Sequence, residues 1–157
     1  MKKLFAILVI IVCNTSIYSQ TKTETKDWII ETYNSFKRTE NQNDFLNIEK
    51  DSLIFHSYFY KYTYNKVVFK DIVSIQIRKR SVDGLEWYQI DLNTNKKIEV
   101  GKYQNETYAK DYSNGATLSI LLNTKFGLDD YPKRMEKALL RIITLHGGKA
   151  KILKEAF

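Results

Sequence analysis

The chain has 157 residues, 43% of them hydrophobic and 27% charged, with a formal charge of +7 and one cysteine. That size and balance fit one ordinary domain with a packed core and exclude an intrinsically disordered chain. The single cysteine, Cys13, excludes a disulfide, and no thiol nucleophile or cysteine metal site is expected beyond it.

Residues 1–19 have the layout of a secretory signal peptide. Lys2-Lys3 is a positive start, Leu4 to Val12 is an unbroken apolar run, and Ser19-Gln20 offers a small residue for cleavage. The run is shorter than the about 20 residues a membrane-spanning helix needs, and no later segment reaches that length. Export to the periplasm or beyond is therefore expected, with no transmembrane segment in the mature chain. Lipidation at Cys13 is disfavoured because Val12 stands where a small residue normally precedes a lipid-modified cysteine. Losing Lys2 and Lys3 lowers the charge from +7 to +5, a mild bias towards anionic partners. Export argues against nucleic acid as that partner.

Residues 20–26 read as a polar lead-in. From Asp27, Trp28, Ile29, Thr32, Tyr33 and Phe36 recur at helical spacing, with Thr25 or Asp27 as caps and Lys37-Arg38 at the end. The middle of the chain reads as strands. Phe45 to Ile48 is short, Ser52 to Tyr64 is long and aromatic, and Val67 to Phe69 is followed by Ile72 to Arg78. In that last run Val73, Ile75 and Ile77 alternate with polar residues, as in a half-buried strand. Asp83-Gly84 marks a hairpin, after which Tyr88, Ile90 and Leu92 share a face. Asp91 to Lys97 reads as a polar turn, 98–100 as a short strand, 102–115 as a long loop, and Leu118, Ile120 and Leu122 as the last strand. Asp129-Asp130 then caps a terminal amphipathic helix containing Pro132. Its buried face carries Met135, Ala138, Leu139, Ile142 and Leu145 or His146, and Gly147-Gly148 stops it. A basic tail fills 149–157. The expected fold is α+β in one domain, 27–148. A curled antiparallel sheet or barrel of about six to seven strands lies between an N-terminal and a C-terminal helix.

This plan, strands closed by a C-terminal helix, resembles the pleckstrin-homology-like (PH-like) barrel. More narrowly, Val68 to Ile75, Ile120 to Asn123 and Arg134 to Arg141 with Gly147-Gly148 resemble small exported proteins common in Bacteroidetes. The resemblance is structural and brings no catalytic signature. In PH-like domains, basic residues near the first hairpin bind anionic headgroups, which draws attention to Arg78-Lys79-Arg80. The N-terminal helix is an addition to the minimal PH-like plan.

The candidate chemistries divide unevenly. Asp91-Leu92-Asn93-Thr94-Asn95 spaces oxygen ligands like a calcium loop, but Lys96 and Lys102 stand where that loop needs glycine and glutamate. His56 and His146 are the only histidines and each stands alone, so no metal site is expected. There is no G-x-S-x-G elbow and no phosphate-cradling glycine loop, so no catalytic residue and no cofactor is assigned. Tyr58, Tyr60, Tyr62 and Tyr64 would line one face of a continuous strand, whereas a bend near Ser57 or Asn65 would break that face. They are the first candidate contact surface. Arg78 and Arg80 are the second, set against a simple solvated strand end. Arg134, Lys137 and Arg141 read as a solvent-facing helix stripe. The leading expectation is a non-enzymatic binding or accessory domain for a protein, a peptide or an anionic envelope polymer, compatible with peripheral membrane contact. The alternatives are a small hydrolase with a site of scattered Asp, Tyr, His and Lys residues, or an electrostatic envelope adhesin.

Overall fold

The computed structural model describes residues 21–38, 43–57, 63–104, 107–112 and 116–154, and the side chains of 102–110 are outside that description. The described residues form an α+β fold with two helices and nine strands in two sheets, antiparallel but for one short pairing. The first helix, α1 (Lys22–Phe36), starts five residues before the expected Asp27. Its cap is Thr21, whose hydroxyl accepts from the Glu24 N–H at 3.1 Å while the Glu24 carboxylate accepts from the Thr21 N–H at 2.6 Å. This reciprocal pair satisfies two backbone donors at the helix start. Thr25, expected as a cap, is instead buried inside the helix.

The strands are β1 (Phe45–Glu49), β2 (Ser52–Ser57), β3 (Thr63–Val68), β4 (Ile72–Val82), β5 (Leu85–Thr94), β6 (Glu99–Gln104), β7 (Thr107–Tyr112), β8 (Thr117–Leu122) and β9 (Lys151–Ile152). One sheet runs β1-β2-β3-β6-β7 and the other β8-β5-β4-β9. The described strands thus form two sheets rather than one closed barrel. Three expectations are corrected. The long strand 52–64 is two: Ser57 pairs antiparallel with Thr63, so the chain reverses between them. The loop 102–115 contains the β6–β7 pairing. Asp91 to Thr94 continues β5 and is not a turn.

Core residues come from both sheets and both helices, with Leu53, Phe69, Ile75, Leu92, Leu122, Phe126 and Ile142 fully enclosed. Tyr88, Ile90 and Leu92 do share the inner face, opposite Leu118, Ile120 and Leu122. Val73 does not join them: a register irregularity between Ile72 and Ser74 leaves Val73 exposed and buries Ser74. Such a bulge shifts side-chain parity by one residue. Short 3-10 turns, Phe69–Asp71 and Thr124–Gly127, insert Phe69 and Phe126 into the core.

The second helix, α2 (Tyr131–Leu145), buries Met135, Leu139, Ile142 and Ile143; of the expected pair Leu145 or His146, Leu145 is exposed and His146 is half-buried against Phe69. Asp129 and Asp130 both hold left-handed backbone angles, and Asp130 makes no side-chain cap. Their expected capping role is not what the structure shows. Pro132 lies in the first turn, where its missing N–H costs nothing. The basic tail is not free throughout, because Lys151–Ile152 adds β9 parallel to β4.

Candidate binding face

The β4–β5 hairpin is the longest paired unit, and its turn explains its regularity. Asp83 and Gly84 both have positive φ, 52° and 79°, which matches the type I′ geometry that fits strand twist. Register then decides what shares a face, since directly opposed residues point the same way. Ser74 opposes Asn93, Gln76 opposes Asp91, Arg78 opposes Gln89 and Arg80 opposes Trp87. On the other side of β5, Thr117 opposes Asn93, Ser119 opposes Asp91 and Leu121 opposes Gln89. The outer face of this sheet is therefore a ladder of polar rungs that ends in a tryptophan.

The rungs are bonded to one another. Asp91, only 3% exposed, accepts from Ser119 Oγ at 2.6 Å, from Gln89 Nε2 at 2.7 Å and from Arg78 Nη2. Thr117 Oγ1 donates to Asn93 Oδ1 at 2.7 Å, and Asn93 Nδ2 donates to Ser74 Oγ at 3.0 Å. A buried carboxylate is tolerated because a cation and two neutral donors replace its water. At the hairpin end, the Arg38 guanidinium lies 5.5 Å from the centre of the Trp87 ring. Arg38 reaches this position because the chain after α1 bridges β8, with Lys37 opposite Leu122 and the Asn123 N–H donating to the Phe36 carbonyl at 2.7 Å. Lys79 and Glu86 pair at 2.8 Å on the opposite face of the hairpin.

Of the residues singled out from sequence, Arg78 and Arg80 lie on this one face, in different roles. Arg78 is committed to Asp91, whereas Arg80 stands across from Trp87. Tyr58, Tyr60 and Tyr62 lie outside the described residues. Tyr64 belongs to the other sheet, in a row with His56 and Phe45. There the Phe45 and His56 rings stack at 3.9 Å between centres, and His56 meets Tyr64 edge-on at 5.2 Å. Of the four tyrosines only Tyr64 is among the described residues, and it sits on β3, antiparallel to β2. Burial is the main cause holding the His56 imidazole below its usual pKa, and Glu49 opposes that shift.

Trp87, Gln89, Ser119 and Arg38 were not singled out from sequence as contact residues, and Asp91 was weighed only as the start of a calcium loop. Part of the signal was present. Once Tyr88, Ile90 and Leu92 are inward, Trp87, Gln89, Asp91 and Asn93 must be outward. Arg38 carried no such signal, because it arrives from a distant element.

Elsewhere the surface has open grooves. One of about 300 Å³ is lined by Trp28, Arg134, Lys137, Ala138 and Arg141 between the two helices. Arg134 lies over both Trp28 and Tyr131 at 5.2 Å, so this expected solvent stripe is partly packed. Another, of about 260 Å³, lies at the start of α1. Among the described residues, no group of three or more His, Cys, Asp and Glu is placed to hold a metal ion. No described helix is long and apolar enough to cross a membrane. Comparison with known protein families, curated proteins and solved structures finds no match.

Proposed function

We propose that this protein is an exported, non-enzymatic binding domain that recognises an acidic envelope polymer on the outer face of the β8-β5-β4 sheet. The observation that carries the reading is Trp87, flanked by Arg38 and Arg80 at the end of a prebuilt polar ladder. A flat indole offers a stacking surface for a sugar ring, and guanidinium groups match carboxylates with paired hydrogen bonds. The ladder is already bonded within itself, so a ligand meets side chains whose freedom is spent, and binding costs less ordering entropy. The leader-like residues 1–19 support an exported setting, and the mildly basic charge supports an anionic partner. The PH-like, Bacteroidetes-type reading belongs to the same proposal. A C-terminal helix packed on antiparallel sheets supports it.

A hydrolase reading gains less support. Asp91 is the most enclosed carboxylate of this face, and three donors already occupy it, which leaves it poorly placed to take a substrate proton.

The test is binding of the purified protein to polygalacturonate, with neutral dextran as control, by calorimetry at low and high salt. Trp87→Ala and Arg80→Gln are each expected to lower affinity about tenfold with little change in melting temperature. Binding to polygalacturonate should weaken as salt rises, while dextran should not bind. Polygalacturonate affinity that survives Trp87→Ala would remove this face from consideration.

A further inference from the structure

The β4–β5 hairpin runs beyond the sheet that carries it. On one side the β8 pairing stops at Leu122, opposite Tyr88. On the other, β9 pairs only with Ser74 and Ile75. Among the described residues, the rungs Arg80–Trp87, Ser81–Glu86 and Val82–Leu85 are therefore a two-stranded ribbon with no neighbouring strand. A lone ribbon of that kind is marginal in water, so its end gains little from the fold. The last rung is apolar all the same. Val82 is 56% exposed and Leu85 is 64% exposed, and every residue from Ser81 to Glu86 is open to solvent.

Register decides what this rung adjoins. Val82 and Leu85 oppose each other, and strand alternation puts both on the face of Arg80 and Trp87. Leu85 follows Trp87 on that face at about 7 Å along β5. The apolar pair thus continues the indole surface, over which the Arg38 guanidinium lies at 5.5 Å from the ring centre. The acids of the ribbon are placed elsewhere. Glu86 is on the opposite face, paired with Lys79 at 2.8 Å. Asp83 sits in the turn itself, with a left-handed backbone. A carboxylate at the apex makes end-on entry into hydrocarbon costly. The pair is suited instead to a chain lying along the face. A ligand made of sugar alone, seated on Trp87 and Arg80, would leave both side chains in water.

We propose that the ligand of this face is an acidic saccharide that carries an acyl chain, with the sugar on Trp87, its carboxylate at Arg80 and the chain along Leu85 and Val82. The inference rests on the acidic-sugar reading above and adds the chain to it. Chemistry changes in one direction along the hairpin, from guanidinium and indole to hydrocarbon, and that order matches the headgroup and tail of an amphiphile. Each methylene that leaves water against Leu85 or Val82 adds affinity. A second copy of the chain fits less well, because two such faces brought together gather guanidinium groups of like charge.

Calorimetry on the purified protein compares octyl glucuronide, kept below its micelle concentration, with methyl glucuronide and octyl glucoside. Octyl glucuronide is expected to bind about tenfold tighter than either, since one control lacks the chain and the other the carboxylate. A Val82→Thr, Leu85→Ser variant should bring it down to the affinity of methyl glucuronide. Its melting temperature should hold, because both side chains are exposed. Leu145→Ser removes an exposed leucine from α2 and should keep the full difference. Equal binding of the octyl and methyl glucuronides overturns the proposal. So does an octyl advantage that survives the hairpin variant, or one lost equally in Leu145→Ser. Polygalacturonate separates this inference from the reading beneath it. Polygalacturonate binding without an octyl advantage sinks the acyl chain alone. Octyl glucoside binding as tightly as octyl glucuronide, with no binding of polygalacturonate, sinks both. Sedimentation equilibrium gives the last outcome: a dimer that the hairpin variant dissociates would assign the apolar pair to a second copy and overturn the proposal.

Discussion

Replacing Asp91 with alanine tests whether one enclosed carboxylate organises the outer sheet face. Asp91 is 3% exposed and accepts from Arg78, Gln89 and Ser119. Its removal deprives the Arg78 guanidinium of its counter-charge, and Arg78 Nε is already buried without a partner among the described residues. Breaking a buried pair by deleting one member costs about 3–5 kcal/mol. The Arg78 side chain is 22% exposed and can turn partly to water, so the lower end, about 3 kcal/mol, is expected. In a domain of this size that is a fall in melting temperature of about 10 °C. The asymmetry gives the sharper test. Replacing both partners with apolar residues, Arg78→Met with Asp91→Leu, removes the uncompensated charge together with its counter-ion. The double variant should lie within about 1 kcal/mol of the parent and well above Asp91→Ala. Urea unfolding of the parent, both single variants and the double variant closes the cycle. A loss below about 1 kcal/mol for Asp91→Ala, or a double variant no better than it, would refute the argument.

Two further outcomes are expected. Thr21→Ala removes the side-chain half of the capping box, the Glu24 N–H to Thr21 hydroxyl bond, and should cost about 1 kcal/mol, seen as a lower melting temperature and faster amide exchange in the first turn of α1; no change would mean that turn is already frayed. Burial leads the causes that lower the pKa of both His56 and His146, with Lys22 adding to the shift at His146 and Asp51 opposing it. The unfolded chain therefore takes up protons first, and stability should fall as the pH drops below the unfolded value near 6.5, with the loss complete once the folded pKa values are passed. Thermal unfolding from pH 8 to pH 5 measures this, and a His56→Gln, His146→Gln variant should show a flatter profile.

Local signals made much of the fold readable in the sequence. The Asp83-Gly84 hairpin, the inward set Tyr88, Ile90 and Leu92, and the face of α2 built on Met135, Leu139 and Ile142 follow from backbone preference and period alone. The start of α1 was also legible, because Thr21-Lys22-Thr23-Glu24 is a capping box, a stronger marker than the apolar stripe that begins at Trp28. The β2–β3 reversal was harder: an alternating aromatic run favours a strand whether or not the chain turns within it. The bulge at Ile72–Ser74 left no composition signal and moved Val73 out of the core.

The candidate sites divide along the same line. Sequence by itself determined the residue types and their local order: the leader-like start, the alternation that puts Trp87, Gln89, Asp91 and Asn93 on one side of β5, and the basic excess. Tertiary structure alone decided which of them meet. Arg38 lies over Trp87 and Ser119 reaches Asp91 only because distant segments pack together. The physical reason is range. Period, caps and turns act over a few residues, whereas a binding face or a pocket is closed by segments far apart in the chain, and their meeting is set by the burial of a common core.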